Sequence, residues 1–573
     1  MKYIHRDILA VISIITTALL VLHGFSERID INLTDDTGYM VLGIMIRSTV
    51  LVGFGPLYSI MFKVIQIFTK DTVIIYDVAM HLMYITPPVV SYIMMRAFGL
   101  KTVWALLIST GFLLSPNIMS FITWSKISHY TIIIVMLWVI LAKRFQNSFN
   151  ILFSLVVLTF TLGFIRPESH LSWYISTVLL MAYWWMFVPE KWNSYYLKRL
   201  IPFSLLFILF IGLTLGSSQE LIGKINLLVN PMAGGRSNIA FAQQFSYNYC
   251  EWNGLNNFDW IQWRDFSKEN FGEFTTLGEA FQNNPSLFIK HITYNIQQYC
   301  IKLLYGIQSI FFPPSVFKWS SYISTFLLAA ILILRVTYVR WNNWWAQFKS
   351  LFVQNKWIVL GLIVMAIPSI VASIIFYTRE HYLLLVMPLA LFILTLIFLP
   401  QRTENDNQAR IITNASFVLA ILLIFVLKPS LSDYRTYDVW EEYTYPSNRK
   451  TIEAIRAMEF EQEIKEVDHE GGLANYVGKN FNWVNIITKE EIAYEEYERE
   501  HQPNFYYVTK ALLSNRFMTE DTYFMDIINH PEEHGFHRIN LQEENKGYLL
   551  VSDTLKYKKI CKLPLKPNCL KIE

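Results

Sequence analysis

The chain of 573 residues carries 48 Lys and Arg against 45 Asp and Glu, a formal net charge of +3. Hydrophobic residues make up 53% of it and charged residues only 16%, against roughly 25% charged residues in soluble proteins. This balance excludes a disordered chain, a coiled-coil rod and a small disulfide scaffold, and it gives no cationic footprint for nucleic acid. With so little charge to cover a surface, the chain reads as an α-helical polytopic membrane protein.

A spanning helix needs about 20 mostly apolar residues, and such stretches recur as far as Lys428. In chain order they are Asp7–Phe25, Thr72–Met95, Val103–Ile122, His129–Ala142, Phe149–Ile165 and Leu171–Val188. They continue with Leu200–Leu215, Tyr322–Val339, Trp357–Phe376, Tyr382–Leu399 and Ile411–Leu427. Leu57–Phe68 carries Lys63, and Phe311–Phe317 carries Pro313 and Pro314, so both read as peripheral or re-entrant. The count is therefore about eleven to thirteen spans. The first span has no small-residue cleavage site and reads as a retained helix.

Lys and Arg in alternate short loops, such as Lys2, Arg6, Arg96, Lys101, Lys143 and Arg144, mark the cytoplasmic side. The loops 26–55, 166–170, 217–299 and 377–381 then face outward, and so does the polar tail from Pro429 to Glu573. The expected organisation is a membrane module over 1–428 and an extracytoplasmic α/β domain over 429–573. In that tail Thr451–Phe460 has helical spacing, and Asn504–Thr509 and Gly547–Asp553 read as strands between turn signals. All four cysteines, Cys250, Cys300, Cys561 and Cys569, fall on the outward side. That suits an oxidising compartment and allows the bridges Cys250–Cys300 and Cys561–Cys569 among the three pairings four cysteines permit.

Ionisable residues at membrane depth or at its rim are costly to bury and so mark candidate sites. Four groups qualify, and all four lie on the outward side. Asp35 and Asp36, in LTDDTGYMVLG, can deprotonate a hydroxyl or bind a cation. The plainer alternative makes Asp36 the N-cap of an amphipathic helix Gly38–Val52. Arg166, in LGFIRPESHL, can fork onto a phosphate or pair with Glu168, with His170 beside it as a titratable neighbour. Arg379, His381 and Tyr382, in FYTREHYLLLVMP, can hold a lipid-linked phosphate or form an ordinary polar loop. Lys126 and His129, in TWSKISHY, rank last, since a lone interfacial Lys is usually an anchor.

Taken together, the order of motifs resembles the GT-C-type integral membrane glycosyltransferases, which use polyprenyl-phosphate sugars as donors. The resemblance rests on the DDxxY of Asp35, Asp36 and Tyr39, followed by Gly55-Pro56-Leu57-Tyr58, on the outward Arg166-Pro167-Glu168, and on the late pattern of Arg379, Tyr382 and Pro388. It spans Met1 to Lys428 and leaves out the tail. It implies that Asp35 activates an acceptor hydroxyl, that Asp36 supports it, and that Arg379 and Arg166 neutralise the phosphate leaving group. Tyr382, His381 and Lys126 would line the same site, with Tyr39, Tyr58, Glu168 and His170 in support. A divalent cation, Mg or Mn, would sit on Asp35 and Asp36 if one takes part. The pattern departs from the family where Glu380 and His381 follow the late arginine.

The implied partners are a polyprenyl-phosphate-linked sugar, an extracytoplasmic acceptor (glycolipid, glycan or protein) and the bilayer. The expected location is a bacterial inner membrane with the site on its periplasmic face. The rival readings are an O-antigen-type polymerase or ligase, which needs no DDxxY, a lipid-linked-sugar flippase, which favours midplane charges and repeats, and a receptor that works through its tail.

Overall fold

The computed structural model describes residues 4–24, 26, 30–33, 35–44, 56–119, 126–188, 195–202, 204–205, 236–255, 263–313, 329, 333, 341–399, 447–469, 471–484, 493–513, 516–541 and 547–558. All of the expected span Tyr322–Val339 but residues 329 and 333, all of Ile411–Leu427, most of Leu200–Leu215, and Cys561 and Cys569 lie outside them. So do the side chains of Asp35 and Glu380.

The chain is mostly helical. The first helices are α1 (Ile4–Val21), α2 (Asp35–Ile44), α3 (Pro56–Ile65), α4 (Thr72–Ala97), α5 (Thr102–Leu114), α6 (Ile127–Ala142), α7 (Ser148–Gly163) and α8 (His170–Phe187). There follow α9 (Arg236–Asn253), α10 (Pro285–Phe311), α11 (Trp341–Gln354), α12 (Lys356–Ile375), α13 (Glu380–Leu384) and α14 (Met387–Phe398). Side-chain oxygens start several of them. Asp71 accepts from the amides of Val73 and Ile74 ahead of α4, Asn147 from Phe149 ahead of α7, and Asn284 from Leu287 ahead of α10. Each satisfies first-turn donors that have no partner within the helix.

Helix α4 is central, packed against α1, α5 and α6, while α7 and α8 form a hairpin against α12. One end of the bundle is tied by Asp7 of α1, which accepts from Arg96 Nε at 2.7 Å and from the Tyr92 hydroxyl at 2.6 Å on α4. Helices α5 and α10 touch backbone to backbone at Gly111, where a Cβ would come within 1.7 Å of the Ile310 carbonyl oxygen. Hydroxyl pairs cross the interior, Ser91 to Ser109 at 3.0 Å and Thr159 to Ser176 at 2.8 Å.

Among the described residues two helices are long and apolar enough to cross a membrane, Thr72–Ala97 and Lys356–Ile375. Four further apolar helices are shorter, at Thr102–Leu114, Ile127–Ala142, Ser148–Gly163 and Met387–Phe398. The segment over 217–299, expected to lie outside the membrane, is helical in its described parts, with α9, helices Trp263–Phe271 and Leu277–Asn283, and the 27-residue α10, which runs on to Phe311. Phe311, the first residue of the expected Phe311–Phe317 stretch, ends that long helix, and residues 314–317 lie outside the described residues. Cys250 and Cys300 are not bridged, correcting the pairing expected for them. Cys250 is buried on α9 while Cys300 is exposed on α10, so their side chains do not meet as a disulfide requires.

After α14 the next described element is α15 (Ser447–Met458), which leads into a five-stranded sheet. Its strands are β1 (Ile464–Val467), β2 (Phe481–Trp483), β3 (Phe505–Val508), β4 (Phe536–Asn540) and β5 (Tyr548–Ser552), in the spatial order β2-β1-β3-β5-β4. β1 runs parallel to β2 and β3, whereas β5 is antiparallel to β3 and β4. Side chains alternate along each strand. One face, with Ile464, Phe505, Tyr507, Leu549 and Val551, joins the core shared with α15 and the bundle. The other, with Val467, Tyr506, Val508 and Leu550, is covered by the helices carrying Tyr494, Tyr497, Phe524 and Ile527.

Candidate active site

The four motif groups, scattered from residue 35 to residue 382, are assembled at the end of the bundle opposite the Asp7–Arg96 tie. Helix α2 begins at Asp35, so Asp36 lies inside its first turn and is not the cap of a helix starting at Gly38. Its carboxylate serves other donors. Oδ1 accepts from the Tyr58 hydroxyl of α3 at 3.3 Å and from the Lys126 backbone amide at 3.2 Å, and the side chain is fully buried. Helices α2 and α3 pack closely because position 43 is glycine, where a Cβ would lie 2.1 Å from the Ser59 carbonyl oxygen. Lys63, the reason for reading this stretch as peripheral, donates to the Ile44 carbonyl at 2.8 Å and so ties the two short helices together. The Tyr58 ring packs in turn against Tyr39, 5.3 Å away, and Tyr130, 5.6 Å away.

Lys126 opens α6, and its side chain is among the largest fully buried ones. Its ammonium lies 5.2 Å from the centre of the Tyr84 ring. His129, one turn on, is buried against the same tyrosine, and its Nε2 lies 3.4 Å from the Ile118 carbonyl oxygen. The group ranked last from sequence thus sits deepest. No local pattern announces this, because it depends on α6 starting beneath α2.

Arg166 follows α7 and is buried between Glu168 and α6. Its Nε donates to Glu168 Oε1 at 2.6 Å, and the guanidinium also reaches the Ser128 hydroxyl. Its other neighbour is the Tyr382 ring, 5.2 Å away, and Tyr39 stands close enough to interact with its charge. Arg379 precedes α13, donates from Nε to Gln244 Oε1 of α9 at 3.0 Å, and lies 5.8 Å from the Tyr247 ring. His381 stacks beside Tyr382 with ring centres 4.4 Å apart, and the charges of Arg166, Arg379, Lys126 and His129 all act on it. Three cations therefore surround one imidazole, and one of them, Lys126, gives its backbone amide to the buried Asp36 carboxylate.

His170 departs from this cluster. Its ring lies where a Cβ on Gly163 would be, 2.4 Å from that position, and it packs between Phe164 and Trp173. It is a core residue of the α7–α8 hairpin. Conversely, Gln244 and Tyr247 on α9, Ser128 on α6 and Lys302 on α10 reach the site unforeseen. Lys302 Nζ donates to the Thr378 carbonyl at 3.1 Å, next to Arg379. The segment before α13 is further fixed by α10, whose Asn295 donates to the carbonyls of Ile374 and Phe376 at the end of α12.

Among the described residues no three His, Cys, Asp or Glu side chains are grouped so as to hold a metal ion. No known family model matches the chain, and no curated protein sequence matches it.

Proposed function

We propose that this protein is a membrane glycosyltransferase of GT-C type that moves a sugar from a polyprenyl-phosphate donor to an extracytoplasmic acceptor by inverting displacement. The observation that carries the reading is the convergence of buried Asp36 with Lys126, Arg166, Arg379 and His381 at one end of the bundle. A buried charge is tolerable only where opposite charge and hydrogen bonds compensate it, so a pocket this cationic is suited to an anionic group.

In the proposed reaction the acceptor hydroxyl attacks the anomeric carbon while Asp35 takes its proton. The bond from that carbon to the phosphate oxygen breaks, and the polyprenyl phosphate departs with the electron pair. Arg379 and Arg166 stabilise the charge growing on the phosphate, which fixed cations in a water-poor site do better than solvent. Asp36, held by Tyr58 and the Lys126 amide, keeps the first turn of α2 in place. Tyr382 and His381 line the donor side.

Membrane embedding is supported by the outward faces of the helices. Ile8, Leu9, Ile12, Leu19 and Leu20 of α1, Leu137 and Leu141 of α6, and Val178 of α8 are exposed, whereas serine and threonine hydroxyls are turned inward. Large apolar side chains on the outside of a bundle suit lipid rather than water. The proposed setting is a bacterial inner membrane, polytopic, with the site and the C-terminal domain on the periplasmic face.

The test is a transfer assay on purified full-length protein with a panel of polyprenyl-phosphate sugars and a glycolipid extract, with and without EDTA. Wild type should consume labelled donor, and Asp35→Asn should lower the rate by about a hundredfold or more. Arg379→Ala should impair donor use more than Arg379→Lys. If no donor is consumed, or Asp35→Asn matches wild type, the transferase reading is wrong and the polymerase or flippase alternatives take its place.

A further inference from the structure

The eight residues from Asp30 to Thr37, which carry both aspartates of the candidate site, are held by the C-terminal unit at their start, middle and end. At the start, the Asp30 carboxylate accepts from the backbone amides of Asn448 at 2.8 Å and Arg449 at 2.9 Å, as well as from that of Ile31. Those two amides belong to the first turn of α15 and have no partner within their helix, so Asp30 caps a helix 418 residues away. Asn448 Nδ2 returns a bond to the Ile31 carbonyl at 3.0 Å.

In the middle, Gly472, in the loop after β1, lies against Leu33. A Cβ there would stand 2.0 Å from the Leu33 carbonyl oxygen. At the end, Thr37 donates to the Asn32 carbonyl at 2.6 Å. That bond uses its one proton, so the Tyr476 hydroxyl, 2.7 Å away, donates to Thr37. Two ion pairs fix α15 to the start of α4. Arg449 pairs with Asp77, and Arg456 forks onto Asp71 at 3.0 and 3.2 Å. None of these contacts involves Arg166, Arg379 or His381.

We propose that the C-terminal unit is a clamp that holds the Asp35–Asp36 segment in its working geometry, with Asp30 and Tyr476 as positioning residues for the transfer reaction. The inference rests on the transferase reading for its consequence, though not for the clamp itself. A base must stay within hydrogen-bond reach of the proton it removes, and a displacement of about 1 Å lowers a rate by about a hundredfold. The clamp acts on the acceptor side, so releasing it lowers kcat and leaves the KM for the lipid-linked donor unchanged.

The experiment compares full-length wild type with Asp30→Ala, Asp30→Asn, Tyr476→Phe and Thr37→Val in lipid nanodiscs, with Arg499→Ala, from an exposed ion pair with Glu495, as control. Two readouts are taken, deuterium uptake in residues 30–37 and steady-state transfer from a polyprenyl-phosphate sugar. Expected are faster uptake in Asp30→Ala and Tyr476→Phe, a fall in kcat of about tenfold or more at constant donor KM, and partial rescue by Asp30→Asn, which keeps one acceptor oxygen. Tyr476→Phe added to Thr37→Val should be no worse than Thr37→Val alone, which already removes the bond between them. Unchanged uptake in Asp30→Ala overturns the clamp whatever the activity. Faster uptake with unchanged kcat overturns the positioning role. Faster uptake in a protein whose wild type transfers no sugar upholds the clamp and overturns the transferase reading.

Discussion

On α1 the side chains of Ile8, Ile12 and Leu19 point away from the bundle, while Ser13 and Thr17 are buried and bond to carbonyls one turn back in their own helix. The C-terminal unit differs in its exposed positions. Val467, Tyr506 and Leu550 are inside, and exposed positions such as Glu495 and Arg499 carry charge. The two regions differ in what their exposed positions carry, and the seam between them combines apolar and polar contact. Beside the shared apolar core, charged and hydroxyl groups bond across it, Asp30 with α15, Arg456 with Asp71 and Tyr476 with Thr37. Polar contact of this kind fixes orientation, because each bond needs a particular geometry, whereas apolar contact is non-directional.

The largest expected effect tests the bundle half of that comparison. Ile12→Asp puts a carboxylate on an outward face, and in a bilayer it should cost about 3 kcal/mol of insertion free energy. Reconstitution yield and thermal stability in nanodiscs measure this. A change within about 0.5 kcal/mol, as for an ordinary water-exposed position, would remove the contrast between the regions.

The seam should respond to acid. Burial raises the Asp30 carboxyl to about 6, partly offset by the amides of Asn448, Arg449 and Ile31 and by the nearby Arg449 charge, itself paired with Asp77. A raised carboxyl holds its proton more tightly in the docked state than when released. Docking therefore weakens as pH rises from about 4 to about 6 and is flat above that, by an amount on the order of 3 kcal/mol. Deuterium uptake across α15, followed against pH, should show this slope in wild type, and Asp30→Asn should lack it. An equal slope in both would assign it to another group.

A smaller effect sharpens the picture of the sheet. Glu466 on β1 is fully buried between its cross-strand neighbours Trp483 and Phe505, and neither carboxyl oxygen has a hydrogen-bond partner among the described residues. Burial, with Asp468 adding its charge, pushes this carboxyl up. The folded state thus keeps the proton, and stability falls as pH rises above the ordinary carboxylate range. Glu466→Leu should stabilise the sheet by about 1 kcal/mol at neutral pH and less at pH 4, read as slower exchange of β1 and β3 amides. Destabilisation at both pH values would mean that the carboxyl serves a partner.

Much of this was legible along the chain. The long apolar segments among the described residues are helices, and the Thr451–Phe460 periodicity marks a real helix at Ser447–Met458. Strands β3 and β5 follow from continuous apolar runs, FYYV and YLLVS. Strands β1, β2 and β4 escaped, since IKEV, FNW and FHRIN are short and carry charge or amide groups. Pairing with neighbours makes them strands, and a local pattern does not contain its neighbours. Helix α10 escaped for a related reason. It is amphipathic, so its polar face reads as loop until α5 and α12 cover the other face.

The sequence by itself determined the composition of the surface, the helical character of the bundle, the α/β character of the tail and the short list of charged groups on one side. Those follow from local periodicity and from the cost of burying charge, which act within a few residues. Only the tertiary structure decided that Lys126 lies under Asp36, that His170 belongs to the core, that Cys250 and Cys300 stay apart, and that Asp30 caps a helix more than four hundred residues away. Each of these is a contact between distant segments, and its geometry is set by how whole helices pack.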